Sequence, residues 1–165
     1  MLHPIIREVT LSDLDSCYKI ESTAYSGDEA ATREKIKTRI EIYPQGFLVL
    51  EYSGSVVGLI NSGATDHVHL SDEDFKELIG HDPDGKKMVI MSVAVLPGYQ
   101  HMGFGGQLLS AFIQSARAMG KTGIFIICQT ALVEWYKKYG FIYLGPSDSR
   151  HGGLSWHEMY CSLVI

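Results

Sequence analysis

The chain has no apolar run approaching the ~18 residues needed to span a bilayer, so no membrane partner is expected. Its three cysteines, Cys17, Cys128 and Cys161, are odd in number and far apart. They give neither a disulfide framework nor a metal-ligand spacing. Positive charge is also short: 14 Lys and Arg stand against 19 Asp and Glu, a formal charge of −5. Nucleic-acid binding needs a basic face to displace counterions, so that class is set aside. No repeat, low-complexity tract or Pro/Gly-rich linker divides the 165 residues, and a single domain over 1–165 is expected. The opening Met1-Leu2-His3-Pro4 lacks the basic segment and apolar core of a secretory signal. A reduced, cytoplasmic setting is therefore the expectation.

What is present is an alternation of short β-type runs and amphipathic helices. Residues 5–9 read as a strand. Ser12 followed by Asp15 marks a helix start, after which Leu14, Cys17, Tyr18, Glu21 and Tyr25 fall at helical spacing. The polar break Ser26-Gly27-Asp28-Glu29 leads to a helix over 32–43 that Pro44 and Gly46 end. Runs 47–52 and 55–61 meet at Ser53-Gly54, a hairpin signal. A short helix is expected over 71–79 and an apolar strand over 87–96. The clearest helix covers 103–119, with Leu108, Leu109, Phe112, Ile113 and Ala116 on one face. Strand 123–128, helix 131–139 and strands near Tyr143 and over 156–163 complete an α+β (mixed α/β) order.

The most informative segment is a strand, Pro97-Gly98, then Gln100-His101-Met102-Gly103-Phe104-Gly105-Gly106 and a long helix. Glycines at the mouth of a helix let the backbone approach a ligand closely. The unpaired N–H groups of the first turn and the helix dipole then favour an anion. A pyrophosphate fits that description; a tight turn without a ligand is the bland alternative. The Rossmann pattern G-x-G-x-x-G fails because position 108 is Leu, and Gly105-Gly106-Gln107 is no P-loop.

Gln100-x-x-Gly103-x-Gly105, with Ser92-Val93-Ala94-Val95 upstream, resembles the Q/R-x-x-G-x-G/A signature of the GNAT superfamily of N-acetyltransferases. Farther on, the run from Cys128 through Glu134-Trp135-Tyr136-Lys137-Lys138-Tyr139-Gly140-Phe141 is similar to the arylalkylamine (serotonin-type) N-acetyltransferases. So is Trp156-His157-Glu158-Met159-Tyr160, down to the closing Cys161-Ser162-Leu163. The resemblance implies a GNAT fold, with a mostly antiparallel sheet of six to seven strands and about four helices on its faces. It implies acetyl-CoA as co-substrate and a small-molecule amine, an aralkylamine or polyamine, as acceptor. Monomer and homodimer both fit it.

The same resemblance implies roles for individual residues. The backbone of Val93, Ala94 and Val95 would pair with the pantetheine arm, and an N–H of that strand would face the developing oxyanion. Gln100 would start the loop whose amides, from His101, Met102, Gly103, Phe104, Gly105 and Gly106, meet the pyrophosphate. Tyr136 would stand near the thioester sulfur as general acid, although an aromatic on an amphipathic helix also serves as packing. Tyr25, Met91 and Trp156 would line the acceptor pocket. The two fourth-strand histidines of the vertebrate enzymes are replaced here by Val89 and Met91, neither of which accepts a proton. Glu29, in the Asp28-Glu29 pair where insect-type relatives carry a catalytic Glu, is the first candidate base, and Glu21 the second. His67-x-His69 has no third clustered ligand and is read as a polar loop, so no metal is expected. A peptide or protein acceptor, and a non-catalytic acyl-CoA sensor, are the competing readings.

Overall fold

The computed structural model describes residues 3–25, 30–69, 75, 77–149 and 155–164. Seven strands and four helices follow one another: β1 (Ile5–Glu8), α1 (Leu14–Ala24), α2 (Arg33–Ile42), β2 (Phe47–Tyr52), β3 (Ser55–Thr65), β4 (Lys87–Val95), α3 (Phe104–Ala118), β5 (Gly123–Cys128), α4 (Val133–Lys137), β6 (Ile142–Pro146) and β7 (His157–Ser162). They form one sheet in the order β1-β2-β3-β4-β5-β7-β6. Every pairing is antiparallel except β4 with β5. The expected mixed α/β class with a mostly antiparallel sheet is what the structure shows. Among the described residues no helix is long and apolar enough to cross a membrane.

Alternation along the strands divides the core into two layers. In β2, Phe47 and Val49 join α1 and α2, whereas Leu48 and Leu50 join the layer under α3. The expected apolar face of α3 is buried throughout: Leu108, Leu109, Phe112, Ile113 and Ala116 are each at most 8% exposed. Ser53 and Gly54 join β2 to β3 with φ of 53° and 81°. Two positive φ values make the right-twisted turn that a two-residue hairpin needs.

Three expectations change at their edges. The helical turn before α1 opens at Thr10, not Ser12: the Thr10 amide donates to Asp13 Oδ2 at 2.8 Å, and Arg7 grips the same carboxylate. β3 runs on to Thr65, past the expected end at 61. Asn-Ser-Gly-Ala is a weak strand former alone, but residues 62–65 pair with β4, so tertiary context overrides propensity. The helix expected over 131–139 divides into a 3₁₀ turn, Thr130–Leu132, and the five-residue α4. The helix expected over 71–79 lies largely outside the described residues.

One irregularity positions everything that follows. Asn61 pairs with Ser92 and Ser62 with Ile90, so Met91 is an extra residue in β4, a β-bulge. Met88 and Ile90 pack in the layer under α3, yet Ala94 packs with α1 and α2. In a regular strand all three would share a face. The β4–β5 ladder ends at Val89↔Phe125, just before the bulge. Beyond it the two parallel strands part, and that side of β4 carries no strand partner among the described residues.

Candidate active site

The parted strands open a cleft of about 590 Å³ lined by Val93, Ala94, Val95, Gln100, His101, Gly103, Phe104, Gly105 and Gly106, with Trp135, Tyr136 and Tyr139 across from them. Of the ten expected cofactor-loop and strand residues besides Tyr136, nine line it; Met102, 45% exposed, is not among the lining residues. Gly103 caps α3 with φ +80°, a left-handed conformation that a side chain resists. The first i→i−4 bond of that helix is Gln107 N–H to Gly103 O, at 3.1 Å. The amides of Phe104, Gly105 and Gly106 are therefore outside the helical ladder. Gln100 Nε2 donates to Val95 O at 3.1 Å, tying the loop to the end of β4. A Cβ on Gly106 would collide with the Tyr139 hydroxyl, so the helix mouth meets an aromatic wall with no space to spare.

A second recess, about 70 Å³, lies between α1, α2, β4 and β5 and is lined by Glu21, Tyr25, Lys35, Arg39, Met91, Ser92, Cys128 and Trp156, among others. Val93, Leu132 and Tyr136 line both spaces. Tyr136 is 3% exposed and packs edge-on against Trp135 and Phe141, with centroids 4.9 and 5.4 Å away. Burial pushes its phenol well above the ordinary value of 10.0, and the nearby Tyr25 and Cys128 push it further. It is a protonated hydroxyl at the junction. Tyr25 donates its own hydroxyl to Val93 O at 2.8 Å.

A strand that parts from its parallel neighbour above a glycine-capped helix is a fold-level feature, and sequence comparison agrees with it. The model of the acetyltransferase (GNAT) family matches residues 14–141. The chain belongs to that family. The probable hydrolase YhcX of Bacillus subtilis is 28% identical over 131 residues, 74% of this chain, and the chain spans only 25% of that relative's length. The serotonin N-acetyltransferase of Mesocricetus auratus is 28% identical over 163 residues, 95% of this chain and 76% of the relative. Among solved structures, the GNAT-like decarboxylase GphF in complex with isobutyryl-CoA superposes with a TM-score of 0.84 at 19% identity, over 97% of this chain and 100% of that one. At that identity the likeness speaks for the fold.

In this GNAT chain the second recess holds residues that sequence reasoning did not single out. Arg39 is 2% exposed and donates to Asn61 Oδ1 at 3.3 Å. Ser92 Oγ donates to Glu21 Oε1 at 3.0 Å, and the Ala31 amide to the same oxygen at 3.1 Å. A signal for Arg39 was available: it stands beside Ile40 and three residues after Ile36, a charge on the buried face of α2. Tyr25, Met91 and Trp156, expected from the resemblance, are brought together in this recess. So is Glu21. Glu29 lies outside the described residues. Among the described residues no group of three His, Cys, Asp or Glu side chains could hold a metal ion.

Proposed function

We propose that this chain transfers the acetyl group of acetyl-CoA directly to a primary amine, a small aralkylamine or polyamine, within a ternary complex. The observation that carries this reading is the meeting of two spaces at Tyr136: a long cleft on the backbone side of β4 and a narrow recess on the other. The cleft suits the co-substrate. Amides at the mouth of α3 would hold its pyrophosphate, and the freed edge of β4 at Val93–Val95 would pair with its pantetheine arm. Two carbonyls of that edge already accept side-chain hydrogen bonds, from Tyr25 and Gln100; each retains a second lone pair. The relatives support the same assignment, since one is a serotonin N-acetyltransferase and the fold neighbour GphF is complexed with an acyl-CoA.

Acetyl-CoA supplies an activated carbonyl, and the protein has protons to move. Tyr136 is the residue for the sulfur side. A phenol of such low acidity is a poor donor on its own, so Tyr136 serves best as a shuttle that takes a proton from the reacting nitrogen while giving its own to sulfur. A covalent route through Cys128 is disfavoured: burial pushes its thiol up to about 11, and the thiol is not the nucleophile. Transfer without an acyl-enzyme is the consistent scheme.

The test is release of coenzyme A from acetyl-CoA across a panel of aralkylamines, polyamines and peptides. Turnover with free amines supports the reading. Turnover with peptides alone would shift the acceptor to protein, and tight acetyl-CoA binding without release from any amine would mark a sensor.

A further inference from the structure

Among the described residues, Glu21 is the one acidic side chain lining the acceptor recess. It is 2% exposed, held on α1 one turn before Tyr25. Its two oxygens are treated very differently. Oε1 accepts from the Ala31 amide and from Ser92 Oγ, which fastens the carboxylate to β4 next to the bulged Met91. Oε2 is buried and has no hydrogen-bond partner among the described residues.

Leaving a carboxylate oxygen bare in a closed site is costly, because the group has lost water and gained nothing there. Arg39, equally buried, supplies the opposite charge that a buried carboxylate requires, and its field acts on Glu21. The arrangement therefore fixes one oxygen, balances the charge and leaves the other oxygen to a donor arriving through the recess. An ammonium group is such a donor.

We propose that Glu21 Oε2 receives the protonated nitrogen of the primary amine and takes its proton, making Glu21 the base of the reaction. This rests on the amine-transfer reading above. The ammonium gives one proton to Oε2, and the freed lone pair forms the C–N bond at the thioester carbonyl. The C–S bond breaks with its electron pair on sulfur. Sulfur takes the Tyr136 proton, and the surplus proton on nitrogen passes to the Tyr136 oxygen. Glu21 then returns its proton to solvent, so ammonium plus thioester become amide, thiol and one released proton.

Among the described residues, the titratable groups around Glu21 are Cys17 on its own helix, Tyr25 just past the end of that helix, Lys35 and Arg39 on α2, Cys128 on β5 and Tyr136 on α4. From β3 and β4 come Asn61 and Ser92, which do not titrate. Burial pushes the two thiols up to about 12 and about 11. The proposal assigns an acid limb in the rate to Glu21, the one carboxylate among these groups.

The experiment measures kcat/KM from pH 5 to 10 for the parent, Glu21→Gln and Ser92→Ala. The acceptors are phenethylamine and its β,β-difluoro analogue, which has nearly the same shape and a far less basic nitrogen. Glu21→Gln keeps an oxygen for Ala31 and Ser92. It should lose roughly 10²- to 10⁴-fold with phenethylamine at pH 7. It should then recover about tenfold per pH step toward the amine's own pKa near ~10, and stay close to the parent with the fluorinated amine. Acetyl-CoA affinity by calorimetry should not change. A loss equal for both amines and independent of pH would reduce Glu21 to a structural tie and overturn the proposal; so would no loss. Ser92→Ala retains the carboxylate but removes a donor that favours its charged form, so the acid limb should move toward higher pH. A stationary limb overturns the proposal even where the glutamine variant fails to fold. A parent that releases no coenzyme A with any amine overturns the transfer reading too, whereas an active parent with a pH-independent variant overturns this inference alone.

Discussion

The two spaces that meet at Tyr136 are built by opposite means. The cleft proposed for the co-substrate has one wall of main chain, the freed edge of β4, a left-handed glycine at Gly103 and the open amides of the first turn of α3, facing Trp135, Tyr136 and Tyr139. The recess proposed for the acceptor is made of side chains, with buried Glu21, Arg39 and Ser92 joined by hydrogen bonds and charge and Asn61 accepting from Arg39 behind them. Backbone recognition suits a ligand part that is always the same. Side-chain recognition lets relatives on one fold take different acceptors, because loops and surface positions vary without disturbing the strand edge.

The largest expected effect lies at the junction, where neither description alone applies. Tyr136→Phe should lower kcat by roughly 10²- to 10⁴-fold, since the shuttle proton is gone. Acetyl-CoA affinity measured by calorimetry should barely move, because the ring still packs against Trp135 and Phe141. An unaltered rate would confine Tyr136 to packing, and the two spaces would then share a wall without sharing chemistry.

Next comes Arg39→Met, which attacks the side-chain half. It strips Asn61 Oδ1 of a donor and leaves the buried Glu21 without its counter-charge. Removing one partner of a buried charge pair costs about 3–5 kcal/mol, readable as a lower urea midpoint with an unchanged slope. The folded fraction should still bind acetyl-CoA with near-parent affinity. If cofactor binding falls as steeply as stability does, the division between the two regions is false.

How much of each region could be read in advance follows from the same contrast. Gln100-x-x-Gly103-x-Gly105 is legible because a backbone cradle is local in the chain and demands particular residues at fixed offsets. Val93–Val95 came with it as the strand just before. The acceptor recess gathers Glu21, Arg39, Ser92, Tyr136 and Trp156 from across the whole chain, and no spacing announces that gathering. Tyr25, Met91 and Trp156 were reached only through family resemblance. Ser92 depends on the bulge at Met91, whose turning of the strand no periodicity reveals: alternation alone would set residues 88, 90, 92 and 94 on one face. Arg39 was within reach as a charge on an apolar helix face, yet Ile36 and Ile40 on either side invite its reading as a solvated neighbour.

A smaller effect is expected on the backbone side. Gly106→Ala pushes a methyl at the Tyr139 hydroxyl, the nearest atom to it, while the ring carbon behind stands 3.0 Å away. The ring must tilt into the cleft, and acetyl-CoA affinity should fall about tenfold, or about 1.4 kcal/mol. Adding Tyr139→Phe removes the nearest atom and should recover most of that loss. Failure of the double variant to recover would mean that the amides, and not the width of the cleft, were disturbed.

The smallest effect separates a bare polar atom kept for chemistry from one that is only buried. His81 has, like Glu21, one satisfied and one orphaned atom: Nδ1 accepts from the Ala64 amide at 2.9 Å, and Nε2 is buried without a partner among the described residues. It does not line either space, and its ring leans on Tyr43 at 4.4 Å. Burial lowers its pKa below the ordinary 6.5, with Lys121 adding to the effect and Asp82 opposing it, and the amide donated to Nδ1 favours the same neutral ring. A depressed histidine stabilises nothing on protonation: as pH falls through 6.5 the unfolded chain takes a proton that the folded one refuses, and stability is lost until the folded pKa is passed. Tm should therefore drop between pH 7 and 5, and His81→Gln, which offers Ala64 an oxygen and does not titrate, should flatten that drop. The pH dependence of kcat/KM should be the same in both proteins. A change in the rate profile would place His81 in the catalytic network and erase the distinction between its bare nitrogen and the bare oxygen of Glu21.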